Sequence, residues 1–383
     1  MAGPARAIYA QRSSHNPDDR KLTYQQGRGG DRRGRLGTET ERFEGALLKT
    51  SRPDQLKSFL EAAGWSGAKR RSLAGDASFR RYDRVTLGPR KAVLMDALPD
   101  KEDIRPFLTI AKHLRSLGYS APEIFAEAVK EGFILLEDLG DTTFTHRLQS
   151  GMDENPMYER AIDFLIDLHS RNPNATVPAG LPMYDTERYL DEAFLLTDWY
   201  MPHVSERSDA ARRDYESLWR EILPGVFFTR DTLVLRDFHA DNLMWLPERV
   251  GVAACGLLDF QDAVAGPPAY DLMSLLEDAR RDVPPDLGRA MINRYLTAFP
   301  EIDKEAFTTS FNILAAQRHC KVIGIFTRLA LRDNKAAYLT HIPRVWRLLD
   351  RACTVSKLAP LKSWLEKWLP AEKRNLEVVT SQK

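Results

Sequence analysis

The stretch Leu235-Arg236-Asp237-Phe238-His239-Ala240-Asp241-Asn242, followed by Leu257-Leu258-Asp259-Phe260, carries most of the information in this chain. It sets out a carboxylate, an amide five residues later, and a second carboxylate at the end of a short apolar run. The apolar runs Thr232 to Leu235 and Cys255 to Leu258 predict short strands that flank the first loop. Two acidic loops at adjacent strand ends can converge on one cation. Asn and Asp side chains offer the hard oxygen donors that Mg²⁺ takes, and a carboxylate facing an opening can accept the proton of a hydroxyl. Asp237 is therefore the candidate catalytic base, and Asn242 and Asp259 are the candidate metal ligands. Asp271 follows Gly266-Pro267-Pro268 at the start of a predicted helix, where it is expected to cap the helix and tie it to the loop.

Outward from this stretch the pattern divides in two. Arg52 to Gly64 has helical spacing, with Leu56, Phe59, Leu60 and Ala63 on one face. Lys69 to Leu73, Phe79 to Leu87 and Lys91 to Leu98 read as strands, Pro106 to Leu117 as a helix, and Ile124 to Ala128 with Phe133 to Leu136 as a hairpin. After Asp138-Leu139-Gly140-Asp141 the helical period takes over. It covers 158–169, 188–200, 211–223, 272–280, 288–299, 307–331 and 343–355. The expected fold class is α+β and bilobal: an N-terminal lobe over 51–138 built on a small antiparallel sheet, and a mostly helical C-terminal lobe over 139–383. The expected nucleotide site is the cleft between them.

Composition narrows the setting. At 383 residues the chain exceeds one small core. Its formal charge of +1 gives no global field toward nucleic acid or a membrane surface, so neither is expected as a partner. No apolar run reaches the length of a membrane span. Three widely spaced cysteines, Cys255, Cys320 and Cys353, form neither a metal spacing nor a disulfide framework, which fits a reducing cytoplasm. Residues 1–50 hold an arginine-rich segment without an apolar signal region and are expected to be a disordered basic extension.

The spacing Asp237 to Asn242 matches the Asp-x-x-x-x-Asn of kinase catalytic loops, and Asp259-Phe260 stands where kinases keep their metal-binding Asp-Phe. A kinase also needs a phosphate cradle. Gly75-Asp76-Ala77-Ser78-Phe79-Arg80-Arg81-Tyr82 is the candidate, a strand-turn-strand whose backbone N–H groups can face phosphate. Alternation places Ser78, Arg80 and Tyr82 on one face, with Tyr82 over the adenine and Arg80 at phosphate. Only the first glycine of the kinase loop is kept, and Ala77 stands at the second. The third-strand lysine of kinases is replaced by Met95, which makes Arg80 or Arg81 the substitute cation. The adenine edge would be read by main-chain groups near Glu137 and Leu139.

Together these residues resemble the aminoglycoside phosphotransferase / choline kinase superfamily over Gln55 to Val355, although Leu235 stands where that family usually has histidine. Four segments resemble the bacterial anomeric sugar kinases of cell-wall recycling: Gly75 to Tyr82, Val93 to Ala97, Leu275 to Val283 and Gln317 to Leu329. The resemblance implies a kinase using ATP and Mg²⁺ that phosphorylates the C1 hydroxyl of N-acetylmuramate or N-acetylglucosamine. It also implies that the missing lysine is no sign of inactivity. Glu192, Trp199 and Tyr200 are the expected sugar platform, and Arg280 or Arg281 the partner of the lactyl carboxylate. The alternatives are an aminoglycoside or amino-alcohol phosphotransferase, and a catalytically silent nucleotide-binding regulator.

Overall fold

A computed structural model describes residues 51–73, 80–206, 208–226 and 231–374. Residues 1–50 and the loop positions Ala77 and Ser78 lie outside the described residues. The small lobe opens with α1 (Arg52–Ala62), whose first turn is capped by the Ser51 hydroxyl accepting from the Asp54 N–H. A five-stranded antiparallel sheet follows, formed by β1 (Lys69–Leu73), β2 (Arg80–Leu87), β3 (Arg90–Ala97), β4 (Ile124–Ala128) and β5 (Phe133–Glu137) in the order β1-β2-β3-β5-β4. Helix α2 (Arg105–Ser116) lies between β3 and β4 in sequence.

Both faces of this sheet are covered, which is why β3 and β5 read as continuous apolar runs. Ala92 and Leu94 of β3, with Phe133 and Leu135 of β5, pack against Leu56, Leu60 and Trp65 around α1. The alternating residues Val93, Met95, Ile134 and Leu136 face the opposite way and join Phe107 and Leu114 of α2 in the main core. Met95 lies opposite Tyr82 in register, so the position that holds a lysine in kinases is here filled by an apolar core residue.

The larger lobe is helical. It contains α3 (Phe144–Gln149), α4 (Glu154–Ser170), the single turn α5 (Pro173–Thr176), α6 (Thr186–Leu195), α7 (Asp209–Ile222), α8 (Ala269–Leu276), α9 (Pro285–Ala298), α10 (Lys304–Arg332), α11 (Ile342–Ala352) and α12 (Ala359–Trp368). A wide turn of π type, Leu196–Tyr200, extends α6. Helix α10 is the axis of the lobe and is buried on nearly every side through its middle. Gly324 on α10 permits close approach to α6, since a Cβ there would stand 2.2 Å from the Leu195 carbonyl. Cys255, Cys320 and Cys353 are buried free thiols. Among the described residues no helix is long and apolar enough to cross a membrane.

The lobes meet along one seam. Arg84 of β2 reaches Asp138 and Asp141 in the connecting segment, with Nη to carboxylate distances of 2.8 and 2.9 Å. Ser120 donates to the Ala253 carbonyl at 2.6 Å and accepts at its own carbonyl from the Leu257 N–H at 2.9 Å. Phe107 of α2 stacks on Phe260, with ring centroids 5.1 Å apart.

Candidate active site

Four three-residue strands build the floor of the cleft. β6 (Thr232–Val234) pairs with β9 (Val264–Gly266), and β7 (Leu243–Trp245) pairs with β8 (Cys255–Leu257). The two strands expected to flank the acidic loop are therefore present, but each pairs with a neighbour too short to stand out in the sequence. Residues 235–242 cross from β6 to β7, and Leu258 to Ala263 cross from β8 to β9. The Leu258 N–H donates to the Asn242 carbonyl at 3.0 Å, so the second acidic loop starts beside the end of the first.

The first loop is held in an unfavourable shape. Arg236 has φ of 69°, a left-handed conformation that costs a non-glycine residue energy. Asp271 offsets this by accepting from the Leu235 N–H at 2.6 Å and the Arg236 N–H at 2.9 Å, and so ties α8 to the loop as expected, but from inside the first turn; the cap position is held by Pro268, because α8 starts earlier than the spacing suggested. The Arg236 carbonyl takes Arg318 Nη1 at 3.0 Å, and the Arg236 guanidinium pairs with Glu192. Lys321 Nζ lies 2.9 Å from the same Glu192 carboxylate, and the Tyr184 hydroxyl donates to it at 2.5 Å. Burial alone would raise the Glu192 carboxyl, but Lys321, Arg236 and Tyr184 outweigh it and hold it down at about 2.

On this base Asp237 faces the cleft, its side chain 12% exposed, with Arg318 Nη2 3.4 Å from Oδ1. Asn242 Nδ2 donates to the Asp237 carbonyl at 2.9 Å, which fixes the amide and turns its oxygen away. Asp259, with φ of 57°, sits in a second left-handed turn. Its carboxylate accepts from Gln261 Nε2 at 2.9 Å and has Arg80 Nη1 at 3.9 Å. Burial pushes the Asp259 carboxyl up to about 7; Arg80 works against this, and the nearby Asp237 charge adds to it. The Asp237 charge thus acts on Asp259, and the Leu258 N–H bond to the Asn242 carbonyl sets the two acidic loops side by side.

The sequence matches the phosphotransferase enzyme family across residues 69–307, more than half of the chain. The chain belongs to this family. A relative from Caulobacter vibrioides, an N-acetylmuramate/N-acetylglucosamine kinase, is 36% identical over 85% of this chain and 99% of its own length. A kinase of the same description from Pseudomonas aeruginosa is 37% identical over 76% of this chain and 86% of its own. Among solved structures, an ADP-bound aminoglycoside phosphotransferase matches 80% of this chain and 99% of its own, with TM-score 0.53 and 16% identity. The choline kinase of Streptococcus pneumoniae matches 78% of this chain and 99% of its own, with TM-score 0.56 and 11% identity. These likenesses show the bilobal kinase-like fold.

In this phosphotransferase Arg80 is the buried cation at the sheet's edge of the cleft. Its Nε lies 3.1 Å from Glu102 Oε1, just ahead of α2, and its Nη1 reaches toward Asp259. Burial works against the charge, but Tyr82, Asp259 and Glu102 outweigh it and raise its pKa. An arginine of β2 thus joins Glu102, ahead of α2, to the Asp259 loop across the two lobes.

Several expected contacts take other roles. Tyr82 is buried in the main core beside Arg80 and supports that arginine rather than lying open over a base. The Glu137 N–H is spent on the Glu123 carbonyl at 2.8 Å and its carboxylate on Arg249 at 2.5 Å and Arg115 at 3.4 Å, whereas burial of the Leu139 side chain does not engage its main-chain groups. Tyr200 is fully buried, donating to the Arg374 carbonyl at 2.9 Å and accepting from Trp346 Nε1 at 3.0 Å, so it has no face for a sugar. Glu192, likewise buried, supports the loop from below. Trp199 remains half-buried. Arg281 is bound to Tyr158 and Glu154, whereas Arg280 lies beside Asp241 of the first acidic loop. Arg318, which local sequence spacing does not single out, is the side chain that touches Asp237.

Proposed function

We propose that this phosphotransferase transfers the terminal phosphoryl group of ATP to the anomeric hydroxyl of N-acetylmuramate and N-acetylglucosamine in peptidoglycan recycling. The observation that supports it is the Asp237 carboxylate, held by Arg318 beside two oxygen-donor side chains, in a chain aligned over 85% of its length with a kinase of these two sugars.

The donor set suits Mg²⁺. With its nitrogen bonded to the Asp237 carbonyl, Asn242 presents an amide oxygen, and Asp259 is a buried carboxylate whose charge is under-compensated. Few protein ligands are needed, because Mg²⁺ in such sites takes phosphate oxygens and water for the rest. When bound, the ion would neutralise charge on the phosphates and favour the ionised form of Asp259. Arg80 supplies the second positive charge toward the phosphates.

The remaining chemistry belongs to the chain. Asp237 accepts a hydrogen bond from the C1 hydroxyl and aligns it with the phosphorus. As the new O–P bond forms, the bond from phosphorus to the bridging oxygen breaks and ADP leaves. The hydroxyl proton passes to the Asp237 carboxylate. Arg318 fixes the rotamer of that carboxylate, so little reorganisation is left to the reacting state. The anomeric hydroxyl is more acidic than an ordinary alcohol, which eases the transfer to a weak base.

The test is a panel of N-acetylmuramate, N-acetylglucosamine, choline and kanamycin with Mg-ATP, following ADP release and locating the new phosphate by ³¹P NMR. The expected result is turnover of the two sugars with phosphate on C1. Turnover of kanamycin or choline alone would replace this reading with that of an aminoglycoside or amino-alcohol kinase.

A further inference from the structure

The two proposed sugars differ at one place. N-acetylmuramate carries a lactyl ether ending in a carboxylate where N-acetylglucosamine has a hydroxyl. One site that takes both must meet an anion in the first case and leave no stranded charge in the second.

The arginines on the helical side of the cleft sort by what they already hold. Arg236 and Arg318 are built into the catalytic loop. Arg281 donates both Nη groups, to the Tyr158 hydroxyl at 2.5 Å and to Glu154 at 2.6 Å. Arg280 is different. Its Nε lies 3.4 Å from Asp241 Oδ2, and among the described residues its two Nη groups make no hydrogen bond. Its side chain is 16% exposed, and the guanidinium lies 5.5 Å from the ring centroid of Phe326. That leaves unused the outer edge of the fork, which a carboxylate takes with two parallel bonds.

Asp241 lies four residues beyond Asp237 on the same loop, with its other oxygen accepting from Thr145 Oγ1 at 2.5 Å. The contact to Arg280 is long for an ion pair, 3.4 Å at its nearest, and no hydrogen bond between the two side chains is formed. It is close enough to neutralise the guanidinium when a neutral sugar is bound, and it does not block an incoming anion.

We propose that Arg280 recognises the lactyl carboxylate and that Asp241 sets the balance between the two sugars; this rests on the sugar-kinase reading above. The experiment compares full-length wild type with Arg280→Met, Arg280→Lys and Asp241→Asn. It takes kcat/KM for both sugars from the same preparation of each, so any loss of folded protein cancels from the ratio. In Arg280→Met the ratio of N-acetylmuramate to N-acetylglucosamine efficiency is expected to fall about 30- to 100-fold, the scale of a lost charge-assisted pair. Arg280→Lys, which keeps the charge and loses the fork, should fall between it and wild type. Asp241→Asn, which removes the competing anion, should move the ratio several-fold the other way. An unmoved ratio in Arg280→Met, or a shift in the same direction for Arg280→Met and Asp241→Asn, overturns the assignment while leaving the sugar-kinase reading intact. Should Arg280→Met not fold, the opposed shifts of the other two variants decide. Wild-type enzyme that turns over neither sugar overturns the sugar-kinase reading and this inference with it.

Discussion

At Arg318 one buried guanidinium serves both the Asp237 carboxylate, the proposed base, and the strained backbone that carries it. Replacing Arg318 by Met removes the partner of Asp237 and one acceptor bond of Arg236. A loss of about 100-fold in kcat with a small change in KM for ATP is expected, and steady-state kinetics at saturating sugar would show it. Arg318→Lys should recover part of that loss. Arg80→Met should have the opposite signature, with KM for ATP rising about tenfold or more and KM for sugar little moved. Asp237→Ala should lower kcat by about a thousandfold while nucleotide binding, followed by calorimetry, is retained. That the loops of Asp237, Asn242 and Asp259 lie side by side was legible in the sequence because their spacing between flanking strands is local. Arg318 was not, since it comes to Asp237 from 81 residues away. Its sequence signals are its place in the Gln317 to Leu329 segment and the cluster Gln317, Arg318 and Lys321 in the buried middle of the helix, which marks a polar face in need of partners.

Among the elements, α10 does most to place the loop. It carries Gln317, Arg318 and Lys321 to the underside of the active site, and Gly324 sets its distance from α6. A Cβ at Gly324 would meet the Leu195 carbonyl at 2.2 Å, backbone that cannot swing aside. Gly324→Ala is therefore expected to cost about 3 kcal/mol in chemical denaturation and to lower kcat by shifting Lys321 and Arg318 from their partners. An unchanged denaturation midpoint would contradict the close approach. Most helices and the long strands of the small lobe were readable from periodicity, because each is long enough to show its period; α3, α5 and α12 were not read. The three-residue strands β7 and β9 were not, and their pairing with β8 and β6 depends on tertiary packing. The same limit explains Glu192 and Tyr200. Spacing shows that residues share a helix, and only packing shows whether that helix faces the cleft or the core.

Over the whole molecule, the catalytic loop rests on an ion cluster that titrates. Glu192 is held down at about 2 from a usual 4.5, chiefly by Lys321 and Arg236 against the cost of burial. A depressed carboxyl stabilises the folded state fully above pH 4.5, and that contribution is lost as pH falls toward 2. Its size is about 3 kcal/mol at neutral pH. Urea midpoints measured from neutral to acid pH should fall steeply in wild type. In Glu192→Gln they should start about 3 kcal/mol lower in stability and change less over that range. An equal slope in both would place the acid sensitivity elsewhere. The bilobal layout was legible in the switch from strand to helix period near Asp138, and the residues that join the lobes were not. Arg84 is one of these. Its fork clasps Asp138 and Asp141 at the corner where sheet meets helices. Such a clasp cross-links the second strand to the segment by which the chain leaves the sheet, so the crossing between lobes is tied by side chains as well as by backbone.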